Sequence, residues 1–236
     1  MSAMAERIWK ATSKTILSLL DKYQDYDLVL TGHSLGAGTA SLLNIMLHHD
    51  NYKLMNGCKN RIQCVVYACP PVFTSLQHHE AKPTLEQSIQ SAIHSCTNYI
   101  HQNDCVPFLS VDSVRHFLYG LRLIQEEKIK WTDRMKIMSQ YTTPPPSLIE
   151  KVEVARTKRL DTLPGAPQLI IPAVSNIWLQ EHVTDDEESA FSRVYYYDQM
   201  VCDAQALANI GIAVNPNMWD DHMPSRYEQA LQGMES

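Results

Sequence analysis

The sequence predicts an α/β fold built on a parallel sheet, and three observations carry that prediction. Short β-rich apolar runs at residues 28–30, 62–69 and 97–101 alternate with helical patterns, and strands alternating with helices at this spacing build parallel sheets. The second run, Ile62-Gln-Cys-Val-Val-Tyr-Ala-Cys69, is almost entirely apolar and is closed by Pro70-Pro71. A strand buried on both faces reads this way. The first run passes directly into Gly32-His33-Ser34-Leu35-Gly36 and a small-residue helical pattern, which is the strand, sharp turn and helix of a G-x-S-x-G elbow.

Taken in order, residues 4–22 place Ile8, Trp9, Ile16, Leu19 and Leu20 on one helical face, continued by Tyr23. This spacing predicts an amphipathic helix packed on the sheet. A membrane-surface helix is the alternative, and the weakly basic polar face disfavours it. The helix after Ser34 runs through Thr39, Leu42, Leu43, Ile45 and Met46 to about His48. A polar helix covers about 85–94. Residues 111–140 carry Val114, Phe117, Leu118, Leu121, Leu123 and Ile124 at helical spacing among many charges, as one long helix or two short ones. Tyr141-Thr-Thr-Pro-Pro-Pro-Ser and Leu163-Pro-Gly-Ala-Pro then break regular structure, so 141–167 reads as a surface excursion within a single domain spanning 1–236. Its triple proline reads as a stiff loop rather than an SH3-type ligand. Residues 168–179 read as one strand interrupted by a proline, hence near a sheet edge. The acidic run 185–188 is a solvated turn rather than a calcium site, and 191–197 is the last strand.

Composition narrows the function. With 236 residues and 44% hydrophobic content, the chain can bury one sizeable core. A net charge of −6 offers no basic field for nucleic acid. No segment approaches the ~18 uninterrupted apolar residues of a membrane span, and no export signal is visible, so the expected location is cytoplasmic. Cys58, Cys64, Cys69, Cys96, Cys105 and Cys202 are irregularly spaced, which favours free thiols over a disulfide framework. No Cys/His spacing suits zinc, and neither a metal nor an organic cofactor is expected.

In the elbow, the residues flanking the serine two positions away, Gly32 and Gly36, are expected to be small so that strand and helix can approach. Ser34 is then the candidate nucleophile and the Leu35 N–H an oxyanion donor. Asp104 lies just beyond the third strand, where functional side chains of open α/β sheets gather; it can equally begin the turn before Pro107 or cap the next helix. His222 precedes Pro224 and a short helix after the last strand. The order Ser34, Asp104, His222 is the Ser…Asp…His order of α/β-hydrolases. His116 and His182 are weaker substitutes.

The run Leu-Thr-Gly-His-Ser-Leu-Gly-Ala-Gly-Thr-Ala around Ser34 resembles the nucleophile region of class 3 (fungal-type) lipases, and among them the sn-1 diacylglycerol lipase branch. Asp104-Cys-Val-Pro and Asp221-His-Met-Pro-x-x-Tyr227 are similar to that family's catalytic-acid and catalytic-histidine segments. The resemblance implies an α/β-hydrolase fold, a Ser34–Asp104–His222 triad, and hydrolysis of lipid esters such as acylglycerols at a membrane or droplet surface. It covers residues 5–232 as the family's C-terminal half. The expectation is therefore a partial domain without the family's N-terminal strands, lid and second oxyanion donor, self-associating through an uncovered sheet edge. A catalytically inactive lipid- or partner-binding module is the alternative. Val72, Phe73, Val106 and Phe108 are placed near the site by sequence proximity alone, with packing as their expected role.

Overall fold

The computed structural model describes residues 1–49, 62–74, 83–126, 130–138, 146–147, 149–151, 154, 168–185, 193–212 and 215–234. Its frame is a five-stranded sheet made from β1 (Leu28–His33), β2 (Ile62–Tyr67), β4 (Cys96–His101), β6 (Ser175–Asp185) and β7 (Arg193–Cys202), in that order. The first four strands are parallel and β7 returns antiparallel along β6. Two short strands, β3 (Phe73–Thr74) and β5 (Leu169–Ile170), pair separately. The helices are α1 (Ser2–Lys22), α2 (Leu35–His48), α3 (Pro83–His94), α4 (Val111–Glu126), α5 (Trp131–Met138), α6 (Ala204–Ile210) and α7 (Pro224–Met234). A mostly parallel sheet entered through a strand–serine–helix turn is the α/β-hydrolase fold.

One face of the sheet carries the core. Cys64 and Val66 of β2 and Cys96 and Ile100 of β4 alternate inward and meet Ala37 and Ala40 of α2, as the two-residue period of a strand requires. Helix α1 buries Ala5, Trp9 and Leu20 against Leu43 and Leu47 of α2 and against Ile62. It therefore packs on α2 and one end of the sheet, not across the sheet itself. Two opposed asparagines cross-link the interior. Asn98 Nδ2 donates to Asn176 Oδ1 at 3.1 Å, while Asn98 Oδ1 accepts the Cys69 N–H at 3.1 Å, so neither buried amide is left unpaired at the 1–3 kcal/mol cost of an unmade bond.

Several expectations need correction. β2 is not buried on both faces: Ile62, Cys64 and Val66 point inward, but Gln63 is exposed and Val65 and Tyr67 are half-buried, because the outer face is only partly covered there. Residues 168–179 are two strands, and β6 lies inside the sheet between β4 and β7. Pro172 falls in the connection between β5 and β6, so its missing N–H costs no ladder bond. Within 111–140 the described residues form α4 and α5, the two-helix alternative of the sequence reading. The acidic residues 186–188, Cys58 and most of 141–167 lie outside the described residues. Of the six cysteines, Cys64, Cys69, Cys96, Cys105 and Cys202 are free thiols.

Three parallel strands end alike. Ser34, Ala68 and Gln102, immediately after β1, β2 and β4, hold φ of 56°, 53° and 44°. Each donates its N–H to the neighbouring strand, to the carbonyls of Tyr67, Tyr99 and Leu179 at 3.0, 2.9 and 2.9 Å. The ladder thus runs one residue past each strand before a left-handed residue turns the chain away. This common edge is where Ser34, Asp104 and His222 converge.

At the first of these turns the two glycines have different roles. A Cβ on Gly32 would lie 2.5 Å from the Gly36 carbonyl carbon and oxygen, whereas one on Gly36 would meet nothing within 4 Å. The close approach depends on Gly32 alone. Gly32→Ala is expected to lower stability by about 1–3 kcal/mol or more, while Gly36→Ala stays within about 1 kcal/mol of the parent. Urea unfolding followed by circular dichroism distinguishes them, and equal midpoints would contradict the asymmetry.

Candidate active site

Ser34 occupies the N-cap position of α2, where a serine hydroxyl ordinarily accepts a hydrogen bond from the first helical turn. Here it makes no capping bond, and its backbone sits at φ 56°, ψ −123°. That strained conformation directs Oγ away from the helix, and the hydroxyl lies 3.0 Å from His222 Nε2. His222 Nδ1 lies 3.0 Å from both oxygens of Asp104. A carboxylate only accepts, so Nδ1 carries the proton and Nε2 is free to accept from Ser34. The structure therefore brings the three sequence-predicted side chains into one hydrogen-bonded chain from alcohol to imidazole to carboxylate. Such a chain can move the hydroxyl proton onto the ring while the carboxylate holds the ring's tautomer.

Asp104 is fully buried and its charge is spread over further donors. The Val106 N–H donates to Oδ1 at 2.8 Å, and the Tyr227 hydroxyl donates to Oδ2 at 2.6 Å. The first of these is also the local turn bond that a structural aspartate would make, so turn formation and ring orientation share one side chain. Tyr227 in turn accepts the His101 N–H at 3.0 Å. Burial first, then the charge of Asp104, push the Tyr227 phenol well above its usual value, which keeps it a proton donor.

Three supporting groups escaped the sequence reading. Asp221, next to His222, accepts both the backbone N–H and the side-chain amide of Asn103 at 3.2 and 3.3 Å, so the histidine loop is stitched to the loop carrying Asp104. The His33 ring lies against that of His222, centroids 4.7 Å apart and tilted by 36°. Its Nε2 is buried without a hydrogen-bond partner, and burial, followed by repulsion from His222, pushes its pKa down. His101 lies fully buried between Tyr197 and Tyr227, with Nδ1 3.7 Å from Asp221. Burial lowers its pKa as well. Adjacency to Asp104 is the only signal for Asn103 and position within G-x-S-x-G the only one for His33, whereas Asp221 opens the histidine-segment motif without a role assigned to it there.

Of the remaining candidates, His182 pairs with Asp198 at 2.9 Å on the exposed β6–β7 ribbon, and His116 lies on α4. Val106 and Phe108 are buried in a short 3₁₀ turn, Val106–Phe108, and Phe73 belongs to β3. A cavity of about 330 Å³ beside the site is lined by His33, Tyr67, Tyr227, Leu231 and neighbouring residues of α7. Among the described residues no three His, Cys, Asp or Glu side chains gather as a metal site.

Fold and site together define a class, an α/β-hydrolase fold with a serine at its elbow. Residues 1–114 match the family model described as Lipase (class 3). Among solved structures, the lipase from Rhizopus microsporus var. chinensis aligns at 20% identity over 48% of this chain and 35% of its own, with a TM-score of 0.37. A triacylglycerol lipase whose catalytic centre is a serine protease triad aligns at 21% identity over 47% of this chain and 37% of its own, with a TM-score of 0.36. The chain thus spans little more than a third of the length of either. No curated protein matches it.

The site generates two expectations about stability. Tyr227→Phe removes a hydrogen bond to a buried charge and should cost about 1.5–3 kcal/mol in urea unfolding; an unchanged midpoint would contradict it. His101 in the folded state binds its proton below the ordinary value of 6.5, so the unfolded chain takes up that proton first as pH falls. Its neutral form contributes stability in full above about pH 6.5, and that contribution is lost as the pH drops toward the lowered value. Melting temperature should therefore fall less steeply between about pH 7 and pH 5 in His101→Gln than in the parent. Identical slopes would rule that origin out.

Proposed function

We propose that the protein is a serine ester hydrolase acting on lipid esters, with Ser34 as nucleophile, His222 as general base and Asp104 as the orienting acid. The observation that carries this reading is the continuous hydrogen-bonded chain, 3.0 Å at each link from Ser34 Oγ to His222 and from His222 to Asp104. His222 Nε2 takes the hydroxyl proton as Oγ attacks the ester carbonyl carbon, and the imidazolium formed is stabilised by Asp104. The same ring then gives its proton to the departing alcohol, leaving an acyl group on Ser34. Water, deprotonated by His222, cleaves that acyl-enzyme and restores the serine.

The negative oxygen of the tetrahedral intermediate falls at the start of α2, where the Leu35 N–H is the donor assigned to it. One such donor accounts for about 2.7–4 kcal/mol of transition-state stabilisation. The match of residues 1–114 to the class 3 lipase model supports a lipid ester as substrate. The resemblance to the diacylglycerol lipase branch supports the sn-1 ester of diacylglycerol in particular. The mainly apolar cavity beside His33 is consistent with an ester carrying a hydrocarbon portion.

Hydrolysis of a p-nitrophenyl ester tests the reading. Ser34→Ala and His222→Ala should abolish turnover, and Asp104→Asn should lower it by about 10⁴-fold by presenting the wrong tautomer. Turnover that persists unchanged in Ser34→Ala would refute it. A second expectation concerns β1, whose neighbour among the described residues is β2 alone and whose Val29 is 53% exposed. An open strand edge supports pairing between copies. Light scattering should then show mass rising with concentration, and a constant monomeric mass would contradict that association.

A further inference from the structure

We propose that α4 and α5 form a docking face for an anionic lipid bilayer, holding the Ser34 site at the membrane surface; the proposal rests on the lipid-esterase reading above. Val111, Val114, Leu118 and Leu121 follow one another at intervals of three, four and three residues, which keeps them on one side of α4. All four are exposed, at 61, 39, 57 and 41%. In a helix packed in a globular core that stripe would face inward. α4 instead turns Ser113 in, with Phe117 half-buried beside it. α5 also exposes apolar side chains, Trp131 at 74% and Met135 at 53%, one turn apart. Among the described residues neither helix packs broadly on another element.

Charge selects the occupant. The chain as a whole has 20 Lys or Arg against 26 Asp or Glu, yet residues 111–138 carry six against four. Arg115 and Arg122, seven residues apart, run along the border of the stripe, and both are exposed, as are Lys130 and Lys136. Some of this charge is engaged locally: Lys136 lies 3.9 Å from Asp133, and Arg134 donates to the Gln125 carbonyl at 3.2 Å. The segment still carries net positive charge in a net negative protein. An apolar face bordered by arginine, with Tyr119 and Trp131 exposed, has the make-up of a helix lying in a lipid headgroup layer. No helix among the described residues is long and apolar enough to cross a membrane, so the contact is interfacial.

The face is coupled to the site through the start of α4. Ser110 and Ser113 cap each other reciprocally: the Ser113 N–H donates to Ser110 Oγ at 3.0 Å, and the Ser110 N–H to Ser113 Oγ at 2.8 Å. The Ser113 hydroxyl donates to the Phe108 carbonyl at 2.6 Å, and the Phe108 ring packs on Trp178 of β6. α4 is therefore fixed to the 3₁₀ turn that begins two residues after Asp104. Docking through α4 would present the elbow to esters held in the same bilayer.

Co-sedimentation of the full chain with equimolar phosphatidylcholine and phosphatidylserine vesicles tests the proposal. The parent should bind these vesicles and bind pure phosphatidylcholine less. Leu118→Asp combined with Trp131→Ser should weaken binding by at least about tenfold. Arg115→Gln with Arg122→Gln should do so at low salt but far less at high salt, where the parent is already screened. Ser34→Ala should bind like the parent, so vesicle binding reads the docking face even if esterase activity fails. Turnover of a soluble short-chain ester should be unchanged in the Leu118/Trp131 variant, while hydrolysis of a long-chain ester within vesicles falls. A parent that stays in the supernatant, variants that sediment as well as the parent, or a Leu118/Trp131 variant that turns a vesicle-free dimer into a monomer would each overturn it.

Discussion

The carboxylate of Asp104 is the contact on which the rest of the site depends. It is fully buried, and a buried charge persists only when donors surround it. Its donors come from two distant parts of the chain: the Val106 N–H from its own loop, and His222 and Tyr227 from the C-terminal segment. Removing any one donor would leave the carboxylate short of partners, so the constraint fixes where the C-terminal loop and α7 lie on the sheet. The geometry that orients His222 and the docking of the C-terminal loop and α7 are thus one set of interactions. Asn103 and Asp221 reinforce it at the adjacent position in each loop.

The sheet delivers its polar side chains to this point by a repeated device. After β1, β2 and β4 a single left-handed residue closes the ladder and turns the chain out, so three neighbouring strands release their loops at one rim. At the first, the absent side chain of Gly32 lets α2 begin almost on top of the strand, and Ser34 is held between them. The strain at Ser34 is tolerated because the helix ahead of it is tightly packed, α2 burying nine of its residues, and because its own N–H is held by the Tyr67 carbonyl of the neighbouring strand. A hydroxyl that would otherwise cap the helix is left for the imidazole. The first turn of α2 is left without a side-chain cap.

How much of this could be read in the sequence follows from where the determining forces lie. The strand, elbow and helix at 28–48 were legible because a local apolar run, two glycines and a small-residue helix pattern act within one short stretch. Asp104 and His222 were found by position after strands, chain order and motif resemblance, and the structure brings them within hydrogen-bond distance of each other and of Ser34. Tyr227, Asn103 and Asp221 act across more than a hundred residues, through contacts that no local periodicity records. The motif gives Gly32 and Gly36 the same steric role, and only Gly32 has it, because a motif does not say which of its two glycines meets the backbone. Pro172 suggests a sheet edge in the sequence, whereas it sits between two strands that belong to different sheets. β2 looked buried on both sides because Val65 and Tyr67 are apolar; which face a helix covers is decided by the topology.

The proposed reaction requires Ser34 to be an activated nucleophile, and covalent trapping measures that directly. The chain should be treated with a fluorophosphonate and digested, and the adduct located by mass spectrometry. A phosphonyl group on Ser34, formed in the parent and much more slowly when the His222 ring is removed, is the predicted result. No adduct, or an adduct on another serine at the same rate with and without the His222 ring, would contradict it.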